Sequence, residues 1–288
     1  MYRKGILSVV LLAVLSVAAV AAELADHLQN ISVTIGAAGS QGSGVTFSRD
    51  GQTYVWTAGH VVDGLRSTRD VIDPKSGSNR KLVEFADAEV IKMLIEDGRT
   101  VGRVEFDAEV IRYSDSDNGE DLALLRVRKK NFATDSVVFY LDEKLPPLGT
   151  QLFHVGSLLG SMGSNSMTTG IVSQHGRLIG KTVYDQISCT IFPGSSGGGV
   201  YTTDGRYVGM VVRGAGETFG LCVPVRRMKD WATRAGVLWA IDPAIPMPNA
   251  EDLKKMPIED IGSNFTADAK ADTKEYPFHV IRRAVHED

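Results

Sequence analysis

The sequence predicts an all-β protein, two packed β-barrels followed by one late helix, and three observations carry that prediction. From residue 31 onward, short segments of Val, Ile, Thr, Tyr and Phe are separated by Gly, Asp, Asn and Ser, the alternation of strands and turns. Asp-Gly steps stand at 50–51, 97–98 and 204–205 beside such segments, and Asp-Gly supplies the positive φ of a tight hairpin turn. Hairpins spaced over roughly 200 residues suit two barrels better than one sandwich.

The elements follow in chain order. Residues 1–22 carry Arg3 and Lys4, an apolar run from Ile6 to Ala22 broken only by Ser8 and Ser16, and the small-residue end Ala18-Ala19-Val20-Ala21-Ala22. This is the pattern of a secretory signal peptide cleaved near Ala22, and it predicts an exported protein, periplasmic or extracellular. The alternative is an uncleaved membrane anchor, for which this run is at the short limit. Asp50-Gly51 joins Val45-Thr46-Phe47 to Tyr54-Val55-Trp56, and Asp204-Gly205 joins Val200-Tyr201 to Tyr207-Val208. The stretch from Asp87 to Ile91 recurs twenty positions later from Asp107 to Ile111. Two copies are too few for a solenoid and read as two similarly patterned strands. Met228, Trp231, Ala232 and Ala235 fall at helical spacing between Val225 and Gly236, which can end the helix. Beyond residue 240, prolines at 243, 246, 248, 257 and 277 among many charges break the chain too often for a second core. The expected division is a signal peptide at 1–22, a folded domain at 23–240 and a polar, Pro-rich tail at 241–288. The end of that tail, Tyr276 to Val285, is apolar enough to dock as a strand or short helix.

Composition narrows the function classes. With 43% hydrophobic residues and only 2 Cys in 288, the chain can bury a core without disulfide staples and is too apolar for wholesale disorder. Removing residues 1–22 takes away two of the 31 basic residues and none of the 35 acidic ones, so the formal charge moves from −4 to −6. A nucleic-acid binder needs a basic face, and no run supplies one. The densest basic cluster, Arg126, Arg128, Lys129 and Lys130, follows an apolar strand and reads as a solvated strand end. Six scattered histidines with no HExxH or clustered Cys/His spacing predict neither metal nor cofactor.

Three local patterns bear on chemistry, each with a plain structural alternative. In Thr57-Ala58-Gly59-His60-Val61-Val62, His60 is either a catalytic base or a satisfied structural residue. In the segment Asp121 to Val127, Asp121 opens an apolar strand as a functional acid or as a turn residue. In Pro193-Gly194-Ser195-Ser196-Gly197-Gly198-Gly199, the small residues make a flexible loop, or Gly194 turns its N–H inward so that the amides of Gly194 and Ser196 converge beside an exposed Ser196 hydroxyl.

Together the three resemble the trypsin-like serine peptidases, most closely the HtrA-type bacterial branch. The likeness covers roughly residues 31 to 236 and includes Gly42-Ser43-Gly44-Val45, Asp97-Gly98-Arg99 and Gly220-Leu221-Cys222-Val223-Pro224, in the order His60, Asp121, Ser196. It implies two six-stranded barrels and an endopeptidase acting on polypeptides through an acyl-enzyme. Ser196 would be the nucleophile, His60 the base, Asp121 its orienting acid, and the amides of Gly194 and Ser196 the oxyanion hole. It also implies that Val212, Arg213 and Gly214 pair with the substrate as an added strand.

The chain departs from the family pattern at several points. Ser195 stands where digestive trypsins carry an Asp that pairs with a freed N-terminus, so that switch is expected to be absent. Gly199 replaces a Pro, which should loosen the loop. The long interval from His60 to Asp121 is assigned to an insertion, a loop or hairpin at roughly Leu65 to Leu94. The residues after Ala240 are too few for the PDZ domain of HtrA proteins. The likeness places Cys189 and Cys222 near the base of the specificity pocket, either as a disulfide or as two separate buried thiols. No acid falls at the pocket base, which predicts small or medium uncharged side chains before the cleaved bond. Arg213 either favours an acidic side chain farther along the substrate or is a surface residue.

Three rivals remain. Gly194-x-Ser196-x-Gly198 also fits an α/β-hydrolase elbow with His279 as partner, but that elbow must lead into a helix, and a hairpin follows here. The segment Gly214 to Gly220 has the glycines of a dinucleotide loop without the helix, and reads as a turn. An inactive homologue that binds peptides or proteins is the non-enzymatic alternative.

Overall fold

The computed structural model describes residues 22–260 apart from 73–76, 78, 97–98 and 217. The expected signal peptide, the Asp97-Gly98 step and the segment Tyr276 to Val285 lie outside the described residues, save for residue 22.

A short helix, α1 (22–30), precedes the first barrel and buries Leu28 in its core. The hairpin β1 (Ser32–Ala37), β2 (Ser40–Arg49), β3 (Gln52–Thr57) comes next. At its second turn Asp50 and Gly51 take φ of 51° and 73°, the two positive values a tight hairpin requires. One helical turn, α2 (Gly59–Val62), then leads through a 3-10 turn to β4 (Arg66–Ile72) and β5 (Asn79–Phe85), which pair only with each other. The strands β6 (Ala88–Glu96), β7 (Arg99–Ser114) and β8 (Leu122–Val127) complete the barrel in the order β7-β6-β1-β2-β3-β8, closed by β8 on β7. The expected insertion is therefore shorter than 65–94. The strands β4 and β5 form the extra pair, and from Ala88 the chain is a barrel strand, held because Ala88, Val90 and Ile91 are buried. The two repeated segments are neighbours in this barrel, with Ala88 opposite Ala108.

The second barrel repeats the plan. After the short β9 (Val138–Phe139) come β10 (Gln151–Leu158), β11 (Gly163–Ile179), β12 (Thr182–Ile187), β13 (Gly199–Thr202), β14 (Arg206–Gly214) and β15 (Gly220–Pro224). Their order β13-β10-β11-β12-β15-β14 closes through β13 on β14. Leu152, Val172, Ile187, Cys189, Val200, Val211 and Cys222 pack together inside it. Both barrels are thus six-stranded and closed, as the family resemblance implies.

The helix α3 (Val225–Arg234) follows with Met228, Trp231 and Ala232 fully buried, and Gly236 ends it at φ 71°. It lies beside β14 and β15 of the second barrel and also packs on the first. Trp231 meets Trp56 edge to face at 5.9 Å, and Trp56 Nε1 donates to the Ala240 carbonyl at 3.0 Å. Residues 241–260 stay on that surface. Ile241 and the Leu253 of α4 (Ala250–Lys255) are buried, and β16 (Glu259–Asp260) runs parallel to β7. Arg66 Nε and Nη2 grip the Glu259 carboxylate at 2.8 and 2.9 Å, tying the extra pair to this last strand.

The barrels meet across a seam of small hydroxyls. Thr34 Oγ1 bonds Ser157 Oγ at 2.5 Å and Ser164 Oγ at 2.7 Å, while Ser43 of β2 reaches the loop between β12 and β13. Polar groups buried at such a seam must be partnered, so it fixes how the barrels sit together. Among the described residues no helix is long and apolar enough to cross a membrane, and no cluster of metal-ligating side chains occurs.

Candidate active site

His60 and Asp121 meet at the edge of the first barrel. Gly59 makes this contact possible, because a Cβ there would stand 2.3 Å from the Ser114 carbonyl oxygen. His60 Nδ1 lies 3.0 Å from both Asp121 carboxylate oxygens, and the His60 backbone N–H donates to Oδ1 at 3.0 Å. Asp121 is buried while the imidazole is partly exposed, so one face of the ring is held and the other is open. Asp121 sits at φ 57°, a left-handed conformation that is uncommon outside glycine although Asp tolerates it better than most residues.

That backbone is held from three directions. Asp121 N–H donates to the Asp115 carbonyl at 3.2 Å, and Glu120 N–H donates to Ser114 Oγ at 2.8 Å. From α3, Arg227 donates to the Glu120 carboxylate at 2.6 Å and to its carbonyl at 2.7 Å, and Arg234 donates to the same carboxylate at 2.6 Å.

Ser196 lies on the loop between β12 and β13. Phe192-Pro193-Gly194-Ser195 forms a turn with Pro in second place and Gly194 in third at φ 96°, closed by Ser195 N–H to the Phe192 carbonyl at 2.9 Å. This is the type II arrangement, which requires a positive φ in the third position. A side chain at Gly194 would also strike the Ser157 carbonyl oxygen at 2.2 Å. Pro193 and Ser195 give their carbonyls to Leu159 N–H at 2.7 Å and Gly198 N–H at 2.9 Å. In a trans peptide C=O and N–H point opposite ways, so these bonds direct the Gly194 and Ser196 amides away from the same partners. Neither amide takes part in a backbone hydrogen bond among the described residues.

The His60 helix and the Ser196 loop converge at Gly42. A Cβ there would meet the Val61 side chain at 2.5 Å and the Ser196 carbonyl oxygen at 3.0 Å. Among the described residues no hydrogen bond joins the His60 ring to the Ser196 hydroxyl. Such bonds often form only when substrate binds.

Beside Ser196 opens a cavity of about 410 Å³ lined by Ile191, Phe192, Val211, Val212, Arg213 and Gly214, among others. A Cβ on Gly214 would stand 2.4 Å from Ile191 Cδ1, so Ile191 occupies the space in front of that glycine. A bulge in the pairing of β14 with β15 falls at Val212, and β13 pairs with β14 only as far as Met210. One edge of Val212 to Gly214 is thereby left without a strand partner among the described residues. Arg213 Nη2 donates to the Ser116 carbonyl at 3.2 Å and its guanidinium stands 6.0 Å from the Tyr184 ring, bridging the Asp121 and Ser196 sides of the cleft.

Cys189 and Cys222 correct one expectation. They are free, buried thiols and neither lines the cavity beside Ser196. Cys222 Sγ faces the Asp185 carbonyl at 3.4 Å and Cys189 Sγ the Leu152 carbonyl at 4.0 Å, each satisfied on a different strand. Burial pushes the Cys189 thiol up to about 12 and raises that of Cys222 well above its usual range. Cys222 lines a separate cavity of about 220 Å³ in which His175 bonds Asp185 at 2.8 Å and Arg226 grips the same carboxylate. A Cβ at Gly199 would stand 2.2 Å from the buried Tyr201 hydroxyl, so the absence of a Pro there makes room for that ring.

Sequence reasoning gave no role to Ser43, Ile191, Glu120 or Arg227. Ser43 carried a signal, since glycines on both sides of a serine mark a close backbone approach. Glu120 and Arg227 stand 107 positions apart and carried none.

The chain is similar to known proteins. The chain is 28% identical over 177 residues to the serine protease Do-like HtrA of Lactobacillus helveticus, covering 59% of this chain and 35% of that protein. It is 30% identical over 174 residues to a probable periplasmic serine endoprotease DegP-like of Brucella suis biovar 1 (strain 1330), covering 59% of this chain and 27% of that one. The chain therefore spans about a third or less of the length of these relatives. Among solved structures, an inactive form of Rv3671c from M. tuberculosis H37Rv carrying a serine-to-alanine mutation superposes with a TM-score of 0.53 at 18% identity, over 78% of this chain and 93% of that one. At that identity the likeness speaks for the fold. The family model described as trypsin-like peptidase domain matches residues 42–210, and on that match the chain belongs to the trypsin-like serine peptidase family.

Proposed function

We propose that the protein is an exported serine endopeptidase that hydrolyses polypeptides through His60, Asp121 and Ser196. One observation carries the reading: a buried Asp121 holds His60 Nδ1 at 3.0 Å from both carboxylate oxygens while the other side of the ring faces the cleft. An Nδ1–H fixed in this way leaves Nε2 unprotonated to act as base. Ser196 Oγ then attacks the scissile carbonyl as His60 takes its proton. The Gly194 and Ser196 amides receive the developing oxyanion, His60 returns the proton to the leaving amine, and water repeats the sequence on the acyl-enzyme. The unpartnered edge of Val212 to Gly214 suits an extended peptide added as a strand. Ile191 narrows the adjacent cavity and supplies no charge, which favours small or medium aliphatic side chains before the cleaved bond. The leader-like residues 1–22 and the periplasmic name of one relative support export.

The test is covalent labelling by a fluorophosphonate. Label mapped to Ser196, lost in Ser196→Ala and accompanied by peptide cleavage, is the expected result. A well-folded protein that takes no label would favour the peptide-binding homologue instead.

A further inference from the structure

Four successive peptide groups surround the Ser196 nucleophile, and each has a carbonyl with an identifiable holder. Pro193 gives its carbonyl to Leu159 N–H and Ser195 to Gly198 N–H, both within the second barrel. The remaining two carbonyls belong to Gly194 and Ser196, and both go to one residue of the first barrel. Ser43 Oγ donates to the Gly194 carbonyl at 2.6 Å, and Ser43 N–H donates to the Ser196 carbonyl at 2.7 Å. Ser43 is fully buried, and its hydroxyl oxygen in turn accepts the Ser157 N–H at 2.7 Å. Its own carbonyl is occupied by Thr57 Oγ1 at 2.7 Å.

We infer that Ser43 is a positioning residue for the oxyanion turn: its hydroxyl sets the plane of the Gly194–Ser195 peptide, and through it the direction of the Gly194 N–H. The inference rests on the protease reading above. A glycine at φ 96° has no side chain to resist rotation about its own bonds, so the orientation of Gly194 depends on what grips its two flanking peptides. Leu159 grips one and Ser43 the other. The Ser43 hydroxyl has one proton to give, and since the Ser157 N–H can only donate and the Gly194 carbonyl can only accept, that proton goes to Gly194. Removing the hydroxyl takes away the side-chain partner of the half-buried Gly194 carbonyl and of the buried Ser157 N–H, while the backbone bond from Ser43 to Ser196 persists. The loss therefore falls on the oxyanion turn and spares the placement of the Ser196 main chain. A donor that swings off target harms the transition state far more than the bound substrate.

The experiment compares wild type with Ser43→Ala and Ser43→Cys in full-length protein. It reads kcat and KM on a cleaved peptide, the Ki of a peptidyl boronate that forms a tetrahedral adduct, and thermal stability. In Ser43→Ala, kcat is expected to fall about 10- to 100-fold, the size of a small misplacement of a catalytic group, with KM within about threefold. The boronate Ki should weaken in parallel. Ser43→Cys keeps a weak donor of similar size and should fall between the two; it carries the test if Ser43→Ala does not fold. Variants that match wild type in kcat and boronate affinity overturn the role of Ser43. A loss of stability with an unchanged boronate Ki also overturns it, because a merely structural residue would behave in that way. A folded wild type that neither cleaves peptide nor binds boronate overturns the protease reading itself, and the inference with it.

Discussion

Arg227 Nη2 donates to the carbonyl of Glu120 at 2.7 Å, one residue before Asp121 turns into its left-handed conformation. The same guanidinium reaches the Glu120 carboxylate and the Val183 carbonyl, so α3 grips the Asp121 backbone from the second barrel side. Arg227→Met should release that grip while keeping the apolar stem. Hydrogen bonds to charged groups contribute about 1.5–3 kcal/mol when partly buried, and we expect kcat/KM to fall roughly 10-fold or more, mostly in kcat. Unchanged kinetics in a folded variant would show that Asp121 keeps its place without the arginine.

Two histidines outside the His60, Asp121 and Ser196 cluster tilt stability in opposite directions with pH. His154 is fully buried against the nucleophile loop, donating Nδ1–H to the Gly199 carbonyl at 3.0 Å. Burial lowers its pKa to about 4, and the Gly199 carbonyl only partly opposes this. Below about pH 6.5 the unfolded chain takes up a proton that the folded one refuses, so stability falls as pH drops from there toward 4, by about 3 kcal/mol in all. Urea midpoints should follow that slope, and His154→Gln should flatten it. His175 behaves conversely. Its hydrogen bond to Asp185 raises its pKa despite partial burial, so its contribution is full below the unfolded value and is lost as pH rises through the folded one.

Ile191 lines the cavity beside Ser196 and stands in front of Gly214. Ile191→Ala should open the cavity and shift preference toward larger side chains before the cleaved bond. Pocket methylenes discriminate by about 1–3 kcal/mol, so the ratio of kcat/KM for Phe over Val should rise roughly 10-fold or more. A peptide library read by mass spectrometry measures it, and an unchanged profile would remove Ile191 from the pocket wall.

Gly199→Ala places a methyl group against the buried Tyr201 ring. Overpacking of this kind costs about 1–3 kcal/mol, which chemical denaturation would resolve. A neutral result would show that the tyrosine can move aside.

The thiols give a simple count. Native protein at mild alkaline pH should leave a thiol reagent unreacted, because both cysteines are buried with raised pKa values. Unfolding without reductant should then release two thiols. Finding none would restore the disulfide.

Much of this was legible in the chain because it depends on local chemistry. Asp50-Gly51 marks its hairpin, Gly236 ends its helix, and Phe192 to Ser195 writes out a type II turn with Pro and Gly in their required places. What was not legible depends on distant partners. Residues 241–260 look like a broken tail, yet Ile241 and Leu253 are buried and Arg49 donates to the Pro243 and Ile245 carbonyls, contacts with no periodic trace. Cys189 and Cys222 share one cluster, but the direction of each thiol is set by the carbonyl it faces. Ser43 was visible as a serine between glycines, and its importance appears only when the second barrel arrives.

The crossing at Ser43 has a consequence for the life of the chain before it is finished. His60 and Asp121 are synthesised with the first barrel, and Ser196 more than seventy residues later with the second. The turn carrying that serine leans on a hydroxyl of the earlier half. On the proposed mechanism, a half-made polypeptide therefore carries the hydroxyl on which the turn leans but lacks the nucleophile itself.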